Sequence, residues 1–175
     1  MDVGVVMGDG LASIELGDTL VVLWKGPATL PRFKWFIQAC ASLARGRPGG
    51  MICLDLILPE SKPPTAEVRA CMQTEFRSLG AGLRRLVVVP LGDSIWLSVV
   101  RTIVRAVLLL SGQSKQHIVA ATLEAGIEQV QSAAGVETPS PAVLRDAVAK
   151  LYLALGVTAR RPVADGGVDS IARAP

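Results

Sequence analysis

Three times along this chain an apolar run gives way to a turn, and the turn to an amphipathic stretch that opens at a hydroxyl-bearing residue. Met51–Leu58 leads through "PESKPP" to Thr65, "RRLVVVPLGDS" leads to Ser94, and the run at His117–Ala121 leads to Thr122. An apolar run broken only by Asp55 suits a strand covered on both faces. Ser or Thr ahead of a stripe at helical spacing suits a helix N-cap, its side-chain oxygen accepting from an amide in the first turn. Strands joined through helices run parallel, with right-handed crossovers. The alternation therefore implies an α/β sandwich.

The flanking segments complete it. Ala12–Lys25, "ASIELGDTLVVLWK", holds two strand-like runs joined at Gly17-Asp18, a hairpin signal that adds an antiparallel edge. From Pro31 to about Arg45 the positions Phe33, Phe36, Ile37, Cys40, Leu43 and Ala44 recur at helical spacing, and "GRPGG" stops that helix. The helix opened by Thr65 carries the stripe Val68, Cys71, Met72, Phe76 and Leu79. In the helix opened by Ser94, Ile95, Trp96, Val99, Val100, Ile103 and Val107 form the face expected to be buried, opposite Ser98, Arg101, Thr102 and Arg105.

After a domain spanning residues 11–134, residues 135–141 read as a linker and 142–156 as an amphipathic helix with Val143, Leu144, Ala147, Leu151 and Leu155 on one face. That face needs a cover, either its own domain or a second copy of the chain, which makes homo-oligomerisation through the C-terminal helix an open expectation. Residues 1–10 and 157–175 lack periodic apolar positions and read as a flexible N-terminus and a disordered tail. The fold expected is an α/β sandwich with a mixed sheet of about five strands, an antiparallel N-terminal hairpin at its edge, four or five helices and the extra C-terminal helix.

Composition narrows the function classes. The formal charge of +3 arises from 18 basic against 15 acidic residues, and the basic ones are dispersed, so no nucleic-acid partner is expected. Cys40, Cys53 and Cys71 form no CxxC pair and His117 is the one histidine, which leaves a metal site without ligands and implies free thiols in a reducing compartment. Residues 94–112 are the one stretch apolar enough to be weighed as a membrane span, but Arg101 and Arg105 interrupt it. Each would cost about 2.5–3.5 kcal/mol at a bilayer centre. No charged n-region with a small-residue cleavage site precedes the first apolar run. A soluble cytoplasmic protein without membrane insertion is expected. "VMGDGLAS" and "PLGDS" place glycine beside aspartate, but neither contains Gly-Lys-Ser/Thr and no GxGxxG follows a strand, so both read as turns and no cofactor is expected.

Four stretches, "TLVVLWKGPAT", "GGMICLDLILPESKPPTAEVRACM", "LRRLVVVPLGDSIWLSVVRTIVRAVLLL" and "HIVAATLEAGIEQV", together resemble the STAS superfamily, the domain of bacterial anti-sigma-factor antagonists and sulphate-transporter tails. The pattern is most similar to the divergent STAS-like proteins found in several copies in some bacteria. The resemblance covers Ala12 to Gln131 and lies in pattern more than in single residues. It implies a non-enzymatic regulatory or scaffolding module that works through a protein partner. Classical members end the central strand with an acidic residue and present a phosphorylatable serine at the next helix start. Asp55 matches the acid, whereas "LPESKPPTAE" stands where the serine turn belongs.

Ser61 and Thr65 are the hydroxyls in that stretch, and with Asp55 they form the candidate phosphoacceptor or anion site, since a helix N-terminus favours an anion. Thr65 as a plain helix cap is the alternative. Asp93, Ser94, Ser98, Arg101 and Arg105 offer a polar, partly cationic face for an acidic or phosphorylated partner, with a solvated helix face as the alternative. Trp35 is the tryptophan expected to reach an interface, because Phe33, Phe36 and Ile37 already fill the buried side of its helix. No catalytic set converges in the sequence. A small-ligand or lipid carrier and an enzyme with a site completed at a dimer interface remain as alternatives to the regulatory module.

Overall fold

The computed structural model describes residues 5–8, 10–92, 95–110 and 116–157. It contains one six-stranded mixed sheet, β1 (Val6–Gly8), β2 (Leu11–Leu16), β3 (Thr19–Trp24), β4 (Met51–Ile57), β5 (Leu83–Pro90) and β6 (His117–Val119), arranged in chain order. β1, β2 and β3 pair antiparallel, and β3 to β6 run parallel. The expected α/β sandwich with a hairpin edge is present, with one difference. Val6–Gly8, in the segment read as loose, pairs with Leu11–Ser13 and becomes the edge strand. Three residues are too few to show a period in sequence.

The β2–β3 turn is Gly17-Asp18, with Gly17 at φ +58°. A glycine with positive φ at the first central position is the requirement of a type II′ hairpin, whose twist matches that of its strands.

Three helices connect the parallel strands: α1 (Leu30–Arg45), α2 (Ala66–Leu79) and α3 (Ile95–Leu110). A parallel order that advances in one direction with right-handed crossovers puts every connecting helix on the same face. One core accordingly packs Phe33, Phe36 and Cys40 of α1, Val68 and Phe76 of α2 and Val100 of α3 on Leu20, Val22, Trp24, Cys53, Leu86 and Val88. The alternate strand residues, Val21, Leu23, Ile52, Leu54, Leu56, Val87 and Val89, face the other side. There they meet α4 (Leu123–Ser132) and α5 (Pro141–Ala154). α4 lies close enough that a Cβ on Gly126 would come within 2.6 Å of Val89 Cγ2.

The C-terminal helix therefore buries its apolar face on its own sheet. Leu144, Ala147, Val148, Leu151 and Leu155 form that face. Val143, expected among them, is 44% exposed, and Val148 is buried in its stead, while the other four expected positions are buried. The large apolar side chains that α5 leaves outward are Val143 and Leu153.

A polar cluster pins the linker. Asp18, buried at the hairpin turn, accepts from the Thr138 hydroxyl at 2.9 Å and from the Arg84 guanidinium, and Thr138 Oγ1 accepts from the Gly135 amide at 2.8 Å. Arg47 adds a 2.9 Å ion pair to Glu137. At the other end of α5, Lys25 Nζ donates to the Leu155 carbonyl at 2.8 Å.

Other expectations on the helices meet a mixed result. Thr65 and Thr122 cap their helices, accepting from the Val68 and Ala125 amides. In α3, Val100 is buried and Ile103 half-buried, but Val99, expected on the same face, is 44% exposed. The side chains of Ile95, Trp96 and Val107, and the tail from residue 158, lie outside the described residues. Cys40 and Cys53 are buried and Cys71 half-buried, all three as free thiols.

Removing one partner of a buried ion pair leaves a charge without compensation. Arg84→Met is expected to lower unfolding free energy by about 3 kcal/mol, and Asp18→Asn in the same chain to recover most of that loss. Urea denaturation of the two variants against the parent chain measures both.

Candidate functional site

Parallel register sets Val22 of β3 opposite Asp55 of β4 and brings Trp24, two residues further on, to the same face at the carboxyl ends of the strands. The indole then leans back over the neighbouring strand. Trp24 Nε1 donates to Asp55 Oδ1 at 2.6 Å, and both residues are more than nine-tenths buried. Burial raises the Asp55 carboxyl from its ordinary 3.8 to about 7, and the indole bond, which favours the ionised form, opposes that rise.

The space in front of this carboxyl is closed by the helices. Phe33 and Phe36 of α1, Met72 and Phe76 of α2 and Val100 of α3 form its apolar wall, and Gly26, Ala28, Lys62 and Pro64 come from the two loops at the strand ends. The cavity has a volume of about 60 Å³. A single water needs roughly 10–15 Å³ on such a measure, so the space takes several water-sized groups. The rings pack edge on, Trp24 against Phe36 at 5.7 Å and Phe33 against Phe76 at 5.8 Å. The cavity lies between the carboxyl ends of β3 and β4 and the helices packed on that face.

Trp24 also holds the β4–α2 joint. Its carbonyl accepts from the Leu58 amide at 3.0 Å and from the Ser61 hydroxyl at 3.1 Å, while the Ser61 amide donates to the Leu58 carbonyl at 3.0 Å. Ser61 is 5% exposed. Its hydroxyl serves as an internal tie. Thr65 is exposed and caps α2, its Oγ1 accepting from the Val68 amide at 3.3 Å. Asp55 and Ser61 thus share one cavity lining, and Thr65 stands outside it.

The residues read as partner-binding are spread out. Trp35 is half-buried and packs against the α1–α3 core, so it is less free than the sequence implies. Ser98 and Arg105 are exposed on α3, and Arg101 is half-buried with its guanidinium donating to the Ala121 carbonyl at 3.3 Å. Asp93 and Ser94 lie outside the described residues. What sequence reasoning missed is the aromatic surround of Asp55, above all Trp24. Alternation along β3 puts Trp24 on the same face as Val22, but only the inter-strand register brings it to Asp55.

Among the described residues no group of three or more His, Cys, Asp or Glu side chains could hold a metal, and no helix is long and apolar enough to cross a membrane. Comparison of the chain with protein-family models, with curated proteins and with solved structures finds no match in any of the three.

The carboxyl makes stability depend on pH with a definite sign. A buried acid whose folded value lies above its unfolded value binds its proton more tightly in the folded chain, so its stabilising contribution is complete at low pH. That contribution is lost as pH rises from about 4 to about 7. The loss is about 1.4 kcal/mol per pH unit, or about 4 kcal/mol across the interval. Asp55→Asn keeps an oxygen for the indole N–H and removes the titration. It is expected to match the parent chain near pH 4 and to exceed it by about 3 kcal/mol near pH 8, measured as the difference between urea unfolding curves at the two values.

Proposed function

We propose that this chain is a non-enzymatic regulatory binding module whose input is a small ligand in the Asp55 cavity and whose output is the β4–α2 joint beside it. The observation that carries the reading is the double role of Trp24, which bonds the cavity carboxyl through its ring and the joint through its carbonyl. Whatever displaces the indole from Asp55 acts on the same residue that anchors Leu58 and Ser61, one turn before the exposed Thr65 end of α2.

The polar groups lining the cavity favour recognition over chemistry. They are Asp55, Ser61 and Lys62, and the Ser61 proton is already committed to the Trp24 carbonyl. A hydroxyl used in that way is not poised as a nucleophile beside a base. The regulatory half of the proposal rests on the STAS-like pattern, in which an acid on the central strand precedes the regulated helix. A cytoplasmic setting belongs to the same proposal and is supported by the free thiols. The protein partner that the pattern implies would meet the exposed Thr65 end of α2 and the Ser98 and Arg105 side of α3.

The test is thermal melting of the full chain with n-butylamine, n-butanol and butanoate, each small enough to place one end in the cavity. A ligand present at about 100 times its dissociation constant stabilises the fold by about 2.7 kcal/mol. At least one of the three is expected to raise the melting temperature, and Ala28→Leu, which fills the cavity from its rim, to abolish the rise. A parent chain whose melting none of them moves would overturn the binding reading.

A further inference from the structure

We infer that the Asp55 cavity takes the head of a primary alkylammonium ion, whose N–H donors meet the carboxylate and the Ser61 hydroxyl oxygen. This deepens the binding-module reading and rests on it.

The argument starts from what each inner polar group still has to offer. Trp24 Nε1 is a donor only, and it is spent on Asp55 Oδ1. The Trp24 carbonyl can only accept, so the direction of the Ser61 bond is settled and the Ser61 oxygen is left with lone pairs. Asp55 retains the rest of its acceptor capacity, with no second hydrogen bond to its carboxyl among the described residues. The inside of the cavity is therefore rich in acceptors and poor in donors. Its complement is a ligand rich in donors and poor in acceptors, which an ammonium head with three N–H groups supplies and a carboxylate or phosphate head does not.

Charge and size point the same way. An anion entering would sit against Asp55, and the cation that lines the cavity among the described residues, Lys62, is an exposed residue of the loop. A cation entering meets the Asp55 carboxylate within an otherwise largely apolar lining. The volume of about 60 Å³ admits an ammonium with its first methylenes. The alkyl chain would leave along Ala28 and Met72, which continue the apolar lining.

The inference carries a pH signature. Alkylammonium ions hold their charge across the neutral range, with the lysine amine at about 10.4 as the reference. Asp55, by contrast, must shed its proton to bind one well. Other titratable groups around it are Cys53 two residues back on β4, Cys40 on α1, His117 of β6 tilted against the Phe76 ring, and Lys62 at the loop. The thiol of Cys53 is pushed up by burial and by Cys40 and stays protonated through the neutral range. His117, the one histidine of the chain, provides the control substitution.

Isothermal titration calorimetry of the full chain with n-butylammonium chloride, n-butanol and sodium butanoate decides the matter. Butylammonium is expected to bind about tenfold tighter near pH 8 than near pH 6, and at least about tenfold tighter than the other two at pH 8. His117→Gln should keep that pH profile, whereas Asp55→Asn should flatten it and weaken binding. Butanol binding as tightly as butylammonium, butanoate binding better, or a flat profile in the parent chain would overturn the inference and leave the binding-module reading in place. Failure of all three probes to bind would remove both.

Discussion

A sheet whose parallel strands advance in one direction receives all its connecting helices on one face, and the rest of this fold follows from that constraint. With α1, α2 and α3 on the same side, Val21, Leu23, Leu54, Val87 and their neighbours would face water unless the chain returned to cover them. α4 and α5 make that return. Because α5 packs on β2 and β3, at the start of the chain, the linker ahead of it has to cross the amino-terminal end of the sheet. The Asp18, Arg84 and Thr138 cluster holds that crossing in place. A buried carboxylate there is satisfied by a guanidinium and a hydroxyl, so its contribution is to location as much as to stability.

Asp55 presents the opposite case. It too is a buried carboxylate, but it has an indole N–H where Asp18 has a guanidinium and a hydroxyl. One neutral donor does not offset the loss of water, which is why the carboxyl is raised to about 7. A core position next to Cys53 and Val88 would be filled more stably by valine or leucine. Retaining a destabilising acid beside an unfilled space is the pattern of a site, since perturbed carboxyls in clefts gather where ligands bind.

How much of this was legible in the sequence depends on the range of the signal. Local signals carried far: the hairpin at Gly17-Asp18, the caps at Thr65 and Thr122 and the alternation that separates the two cores are all written within a few residues. Properties set by distant partners did not. The stripe of α5 differs from the sequence pattern at one position, because Val143 and Val148 are equally apolar and only packing on β2 and β3 chooses between them. The same holds for Val99, apolar yet outward, and for Trp35, which is drawn partly into the α1–α3 core. Asp55 was visible as an interruption of an apolar run, and its placement on a strand end was correct. Its surround was not, because Trp24, Phe33 and Phe76 arrive from three separate elements whose meeting is decided by register and helix packing.

The residue that sequence reasoning passed over is also the one that joins the site to the rest of the molecule. Trp24 ends β3, so its ring belongs to the sheet face while its carbonyl points past the last ladder bond to the 58–61 segment. A hydrogen bond to a charged group contributes about 1.5–3 kcal/mol, more than one to a neutral carboxyl. The protonation or ligation state of Asp55 therefore changes the strength of the indole bond, by an amount comparable to a tenfold shift in a two-state equilibrium. Ser61 lies on the same carbonyl and Thr65 four residues beyond it. The bend between strand and helix is thus mechanically continuous with the cavity floor. Ser61 ties that bend to the carbonyl of the same residue whose indole holds Asp55, so the start of α2 and the cavity share one anchor.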